Sequence, residues 1–456
     1  MPSRSGWQKW RREAGACLRL ALPLILGQLG LVGMEAADVV MAGHLGGLAL
    51  AAVGLGVSLA VPIMLLFMGI CMAVSPMVAF HVGAREQHRI APYVAQTLWL
   101  ALALGVLWWL LYQAAPWLLG LLDIAPQLSH TAAGYVKAMA WGAPGACLMF
   151  MLRFMFEGMG RTGPVMLIGL LGLLANIPAN YVFMYGALGL PALGAVGAGY
   201  GTAVALWLMA AGMIACVYGV PQVRALRLFA ALGWPQPRAW LSTLRLGLPV
   251  GVTIFLEAGL FGVLGLLMAL FGGTAVAAYQ VAANFSGVTV MLPLGIALAT
   301  TARVGQAAGA RHMVEARFRG FVGVVLSMLI MIVPLIMMGV FPHWVAGLYT
   351  TEPDILALAA SLLQLAVLFQ LFDGLQVSAA GALRGYKDTR VPMLITLLAY
   401  WLVGLPLGWW LGFSRHGGPL GLWWALIVGL GVAAILLIWR YQRVTARAAL
   451  AELQLA

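Results

Sequence analysis

The chain has 456 residues, of which 63% are hydrophobic and only 8% charged; a soluble domain carries about a quarter charged residues, so a water-soluble fold is excluded. The length accommodates about a dozen apolar helices of roughly 20–25 residues with short loops and leaves no space for a sizeable soluble domain. A formal charge of +12 would suit nucleic acid, but the basic residues come in brief clusters between apolar runs, without aromatic interleaving, and read as a topology signal.

In chain order, the N-terminal stretch MPSRSGWQKWRREAG is basic and amphipathic. It lacks a convincing cleavage site and is expected to be a cytoplasmic lead-in to the first span. Twelve apolar segments follow, near residues 17–41, 50–80, 92–118, 131–156, 164–188, 194–219, 244–271, 276–305, 319–341, 355–383, 391–413 and 419–440. Alternate loops carry Arg85 and Arg89, then Arg161, then Arg224, Arg227 and Arg238, then Arg311 and Arg317, then Arg384, Lys387 and Arg390. Lys9, Arg11 and Arg12 at one end and Arg440, Arg443 and Arg447 at the other belong to the same side, whereas the opposite side has only Lys137 and Arg415. The positive-inside rule therefore places both termini in the cytoplasm. Trp7, Trp10, Trp141, Trp344 and Tyr349 suit an interfacial aromatic belt. Cys17, Cys71, Cys147 and Cys216 have no metal-ligand spacing and read as packing residues.

The sequence repeats itself. LRLALP at 18–23 returns as LRLGLP at 244–249, VGAREQ at 82–87 as AGARHM at 308–313, and GRTGPVMLI at 160–168 as KDTRVPMLI at 387–395, all at nearly one offset. Two halves are expected, residues 1–228 and 244–456, joined by a cytoplasmic linker at 229–243. Six spans per half is an even number, so both halves enter the membrane in the same sense. The predicted fold is all-α and membrane-embedded: twelve helices in two six-helix lobes related by a direct repeat, with a cavity between the lobes.

Five of the 13 acidic residues fall inside spans. Glu157 has Arg153 one turn before it and reads best as a structural ion pair. Asp38 and Glu35 lie with Gln28 on one face of the first span; three residues apart, the two acids hold a proton or cation more readily than either alone. Glu257 sits near the middle of the seventh span, with Thr253 one turn below and no basic residue within two turns. Asp373 lies about ten residues from the basic cap Arg384, Lys387 and Arg390, roughly 15 Å deep at a rise of about 1.5 Å per residue. Gln370 and Gln376 flank it on one helix face. An ionised Asp at that depth costs about 2.5–3.5 kcal/mol, so each acid needs a bundle interior or a wet cavity. Asn176 and Asn180 are one turn apart around Pro178, and Gln280 and Asn284 are one turn apart in the eighth span. Carboxylate, amide and carbonyl oxygens form a hard-ligand set for Na⁺ or H⁺. The 24 Met and 17 Phe mostly pack, and a cavity lined by them would accept varied flat organic ligands.

No nucleophile–His–acid order, phosphate-binding loop or metal-spaced His/Cys cluster appears, so an enzyme is not expected, nor a cofactor. Pumping by such a chain has to run on an ion gradient. Four stretches carry a resemblance: GQLGLVGMEAADVVMAGHLGGLALAAVGLG, FLEAGLFGVLGLL, YQVAANFSGVTVMLPLGIALATTARVG and LFDGLQVSAAGALRGYKDTRVPM. Together they resemble the multidrug and toxic compound extrusion family in its NorM-type branch, over nearly the whole chain. The resemblance implies export of amphipathic, often cationic drugs by a monomer coupled to Na⁺ or H⁺. It implies a cation site at Glu257 and Asp373, with Gln280 and Asn284 near it, and a second acid at Asp38 beside Asn176 and Asn180. Glu35 departs from the family pattern, where a small residue is usual. The alternatives are a lipid-linked glycan flippase on a related scaffold, which the acidic character of the mid-membrane charges opposes, and an intramembrane enzyme.

Overall fold

The computed structural model describes residues 4–121, 125–415 and 417–455, and among them it is helical without strands. The crossings are α1 (Arg4–Leu45), α2 (Gly47–Gly83), α3 (Gln87–Gly120), α4 (Pro126–Ala140 and Ala143–Gly158), α5 (Gly163–Tyr185) and α6 (Ala195–Gly219). They continue with α7 (Pro237–Ala269), α8 (Gly273–Gly309), α9 (Met313–Val340), α10 (Pro353–Gly385), α11 (Arg390–Ser414) and α12 (Gly418–Leu455). Eleven are single apolar helices long enough to span; the two pieces of α4 meet at 49° and, counted as one span, bring the number to twelve. The largest departures from the expected spans are at three ends. Helix α1 begins before residue 17, α7 at Pro237 inside the expected linker, and α12 runs past 440. In each case the amphipathic flank holds no proline beyond the first helical position, so the helix runs on beyond the apolar stretch.

By contacts the chain divides into two compact units, residues Leu26–Gly251 and residues Met1–Ile25 with Val252–Ala456. The Leu26–Gly251 unit is centred on Trp108, which stacks on Phe67 at 5.5 Å, with Tyr112 donating to the carbonyl of Ala60 at 2.7 Å. Helices α1 and α5 touch backbone to backbone there. A Cβ placed on Gly30 would meet the carbonyl carbon of Gly169 at 2.6 Å. The segment before α7 is tied to α3: Gln96 bonds the carbonyl of Trp234 and the amide of Gln236, and Trp99 donates to the carbonyl of Gly233.

The other unit packs Phe261, Phe369, Tyr279 and Trp423 edge to face. The unit also holds an ionic network. Glu13 of α1 is buried and takes a two-pronged bond from Arg303, with Arg319 3.7 Å away; Arg319 also reaches Glu315, which pairs with Lys9 at 2.8 Å. Trp7, Trp344 and Tyr349 are exposed at span ends, as an interfacial belt requires, whereas Trp141 is exposed at the break between the two pieces of α4.

The repeated motifs make the same turn. After α2, Arg85 takes φ 58° and the amide of Glu86 returns to the carbonyl of His81; after α8, Arg311 takes φ 62° and the amide of His312 returns to Ala307. Gly160 after α4 and Lys387 after α10 repeat it, with Arg161 bonded to Phe156 and Asp388 to Leu383. All four are Schellman caps, which satisfy the last helical carbonyls. Pro23, Pro178 and Pro249 lie inside helices, but Pro392 falls in the first turn of α11. A missing N–H costs nothing there, so Pro392 starts the helix and does not bend it.

The Gly30 contact is testable. Gly30→Ala should lower the thermal midpoint of the detergent-solubilised protein, with overpacking costing about 1–3 kcal/mol. Gly43→Ala, where a Cβ meets nothing within 4 Å, should leave the midpoint unchanged or slightly raised; equal midpoints for the two variants would contradict the close approach.

Candidate ion-coupling sites

Asp38 lies deep in the Leu26–Gly251 unit, 2% exposed. Four helices build its shell. Asn180 of α5 donates to Oδ1 at 2.6 Å, Thr202 of α6 to Oδ2 at 2.8 Å, and Tyr135 of α4 to Oδ2 at 3.5 Å. Asn180 also donates to Asn176 at 3.1 Å, and Asn176 to Thr202 at 3.3 Å, which closes a ring of buried dipoles. The ring depends on Gly201: its Cα lies so near Asn180 that an added Cβ would stand 2.9 Å from the Asn180 amide nitrogen. That approach of α6 to α5 delivers Thr202 to the carboxylate. Glu35, one turn earlier on α1, is half-buried, makes no hydrogen bond among the described residues, and is within electrostatic reach of Asp38.

The second site lies in the unit that begins again at Val252. Gln376 of α10 donates to Glu257 Oε1 at 2.6 Å, and the Tyr400 hydroxyl of α11 donates to Gln376 Oε1. Asp373 is half-buried on α10, makes no hydrogen bond among the described residues, and is within electrostatic reach of Glu257. Among the described residues none of Glu35, Asp38, Glu257 and Asp373 forms an ion pair with Lys or Arg.

Gln280 and Asn284 are both exposed on α8, and Asn284 accepts a bond from Tyr349 at 3.0 Å. The α8 face turned to α10 is that of Ser286 and Thr289, where Gln370 donates to the Ser286 carbonyl at 2.9 Å and to the Thr289 hydroxyl at 2.6 Å. A helix shows one face to a neighbour, and residues two positions away point elsewhere. The structure thus joins Asp38, Asn176 and Asn180 as the sequence suggested, and adds Thr202 and Tyr135. Beside Glu257 it places Gln376 and Tyr400. Thr202 was legible as the one Ser or Thr of α6; Tyr135 and Tyr400 gave no pattern signal.

Arg153 and Glu157 form the structural pair expected on α4, with Nε 2.9 Å from Oε1 and side chains 4% and 0% exposed. Arg153 also lies over the Phe154 ring. A cavity beside it, lined by Leu31, Met149, Ile168, Met209 and Met213, measures about 10 Å³, room for a single water at most.

A multi-pass helical bundle with acids held inside its crossings belongs to the class of polytopic membrane proteins, in which such acids are candidates for function. More narrowly, the MatE family profile matches residues 23–182 and 249–410, well over half the chain and one stretch per repeat, and the chain belongs to that family. It is 41% identical over 442 residues to the multidrug resistance protein PmpM of Pseudomonas aeruginosa, covering 95% of this chain and 92% of that one. It is 35% identical over 443 residues to the probable multidrug resistance protein NorM of Mannheimia succiniciproducens, covering 96% and 95%. A crystal structure of a MATE protein in the bent conformation superposes with a TM-score of 0.87 over 99% of this chain and 100% of that one. At 22% identity that likeness is one of fold.

The buried pair gives a second prediction. Arg153→Met leaves a buried carboxylate and should destabilise by about 3–5 kcal/mol, whereas the double change with Glu157→Met should recover most of the loss. Thermal unfolding of the three proteins decides it; a double variant as weak as the single one would assign the pair a role beyond charge compensation.

Proposed function

We propose that the chain is a secondary multidrug efflux transporter of a bacterial inner membrane. It would exchange external Na⁺ or H⁺ for amphipathic, often cationic organic compounds, as a monomer with both termini in the cytoplasm. The names of relatives that match nearly end to end support the transport class. The observation that carries ion coupling is Asp38, a buried acid offered three neutral donors and no countercharge. A carboxylate so placed is stabilised by a proton or a small cation, and the hydroxyl and amide oxygens around it are hard ligands that suit either.

On this reading the halves 1–228 and 244–456, joined through 229–243, each supply one acidic site. These are Asp38 with Asn176, Asn180 and Glu35 in the first, and Glu257 with Asp373 in the second; Gln280 and Asn284 would act as outlying polar residues of the second half. Cation uptake from outside favours a conformation with low drug affinity, and the drug leaves. The emptied carboxylates then favour a cationic drug from inside. A lipid-pyrophosphate carrier would need a free buried cation, and the Arg153 charge is already neutralised by Glu157.

Ethidium efflux from cells or everted vesicles, driven separately by a Na⁺ gradient and a pH gradient, tests this. Efflux should follow one gradient in the wild type. It should fall at least about tenfold in Asp38→Asn, Glu257→Gln and Asp373→Asn at equal protein level, the range for removing a charged hydrogen-bonding partner. Wild-type efflux in all three variants would refute the coupling role of these acids.

A further inference from the structure

In α11 the residues Leu397–Gly404 form wide π-helical turns, closed by an i→i+5 bond from the Leu405 amide to the Tyr400 carbonyl. The sequence gives a cause. Pro406 has no N–H, and its ring crowds the carbonyl of Leu402 one turn earlier; widening the turn relieves the clash. A wider turn brings consecutive side chains closer to one face, and here two consecutive residues both serve the Glu257 neighbourhood. The Trp401 indole donates to the carbonyl of Leu256 at 3.2 Å, and its ring lies over Gly259. The Tyr400 hydroxyl donates to the amide oxygen of Gln376, whose NH₂ donates to Glu257 at 2.6 Å. Gln376 is 2% and Tyr400 3% exposed, so water cannot replace either partner.

We infer that Tyr400 and Gln376 are positioning residues of the Glu257 site: the hydroxyl of Tyr400 holds the Gln376 amide and lets it turn over, so that it presents its NH₂ to the bare carboxylate and its carbonyl oxygen to a carboxylate that has taken up a cation. This rests on the ion-coupling reading above. An amide N–H suits a bare carboxylate but opposes a cation on the same oxygen, whereas the amide oxygen becomes an extra ligand. Turning a buried amide over ordinarily strands the atom at its far end, at the cost of an unsatisfied polar group. A tyrosine hydroxyl both donates and accepts, so it pairs with the amide oxygen in one orientation and the amide NH₂ in the other. Phenylalanine at position 400 could do neither. The charged groups within electrostatic reach of Glu257 are Asp373 and Arg384, both on α10, and Tyr400 of α11 lies within reach as well.

The test uses the full chain in proteoliposomes, with Tyr400→Phe, Gln376→Leu and the control Tyr279→Phe, whose hydroxyl bonds the Phe261 carbonyl on the same α7. Tyr400→Phe and Gln376→Leu should raise the half-saturating concentration of the driving cation about fivefold, the equivalent of one neutral hydrogen bond, with the maximal ethidium rate kept within about twofold. The control should keep the wild-type value. In wild-type protein, infrared difference spectra on cation addition should show a glutamine amide shift that is absent in Gln376→Leu. Unchanged half-saturation, a lower maximal rate alone, or no amide shift in the wild type would each overturn the inference. Should the wild type carry no ethidium, the transport reading fails, and the infrared difference still decides whether the amide turns.

Discussion

A carboxylate inside a membrane-spanning helix has to be met by something, and most of what is specific in this structure follows from that constraint. Water solvates an exposed acid from all sides; inside the bilayer the chain must supply the donors itself. At Asp38 three other helices do so, with an amide, an aliphatic hydroxyl and a phenol, and the acid is almost sealed. At Glu257 one amide does so, backed by a phenol from the next helix, and the acid stays half-exposed. Neutral donors soften the desolvation cost without cancelling the charge. The charge of Glu157, by contrast, is met directly by Arg153.

The repeat shows which features tolerate duplication. The four Schellman turns survive in both copies because each needs only a left-handed residue and a return bond, conditions that Arg85, Gly160, Arg311 and Lys387 all meet. The acids do not survive: at the repeat offset Asp38 corresponds to Leu264 and Glu257 to Leu31. Leu264 sits in the apolar core of its unit, and Leu31 lines the small cavity by Arg153. A turn constrains backbone and is indifferent to neighbouring helices, whereas a buried acid requires donors from several helices at once. Each copy therefore kept the scaffold and placed its carboxylate where its own helices could meet it.

This also explains what could be read in the sequence. Spans follow from summed apolar content, so all twelve crossings were legible, and only their amphipathic extensions at α1, α7 and α12 were not. Acids and amides at one-turn spacing on a single helix were legible too, as with Asn176 and Asn180. Which helix face meets which neighbour is a property of packing. Gln280 and Asn284 share a face with each other, yet that face is not the one α8 turns to α10. Tyr400 is the converse: its role depends on a π-helical turn set by a proline six residues on, and no apolar periodicity reports such a turn.

The boundary between the two compact units adds a last link between motif and architecture. It falls in α1 at Ile25–Leu26 and in α7 at Gly251–Val252, in each case two residues beyond a proline, Pro23 and Pro249. Those prolines close the repeated motifs LRLALP and LRLGLP, and each removes the bond to, and crowds, the carbonyl of the arginine four residues before it, Arg19 or Arg245. A helix is least stiff where its ladder lacks a bond. Here the weak point recurs at the position where the helix leaves one packed unit for the other. Below Pro23, α1 is fixed by Glu13 and Lys9 to Arg303, Arg319 and Glu315; beyond it, the same helix carries Asp38 to its donors. Helix α1 thus carries an ionic anchor on its N-terminal part and a buried acid on its C-terminal part, with Pro23 between them in sequence.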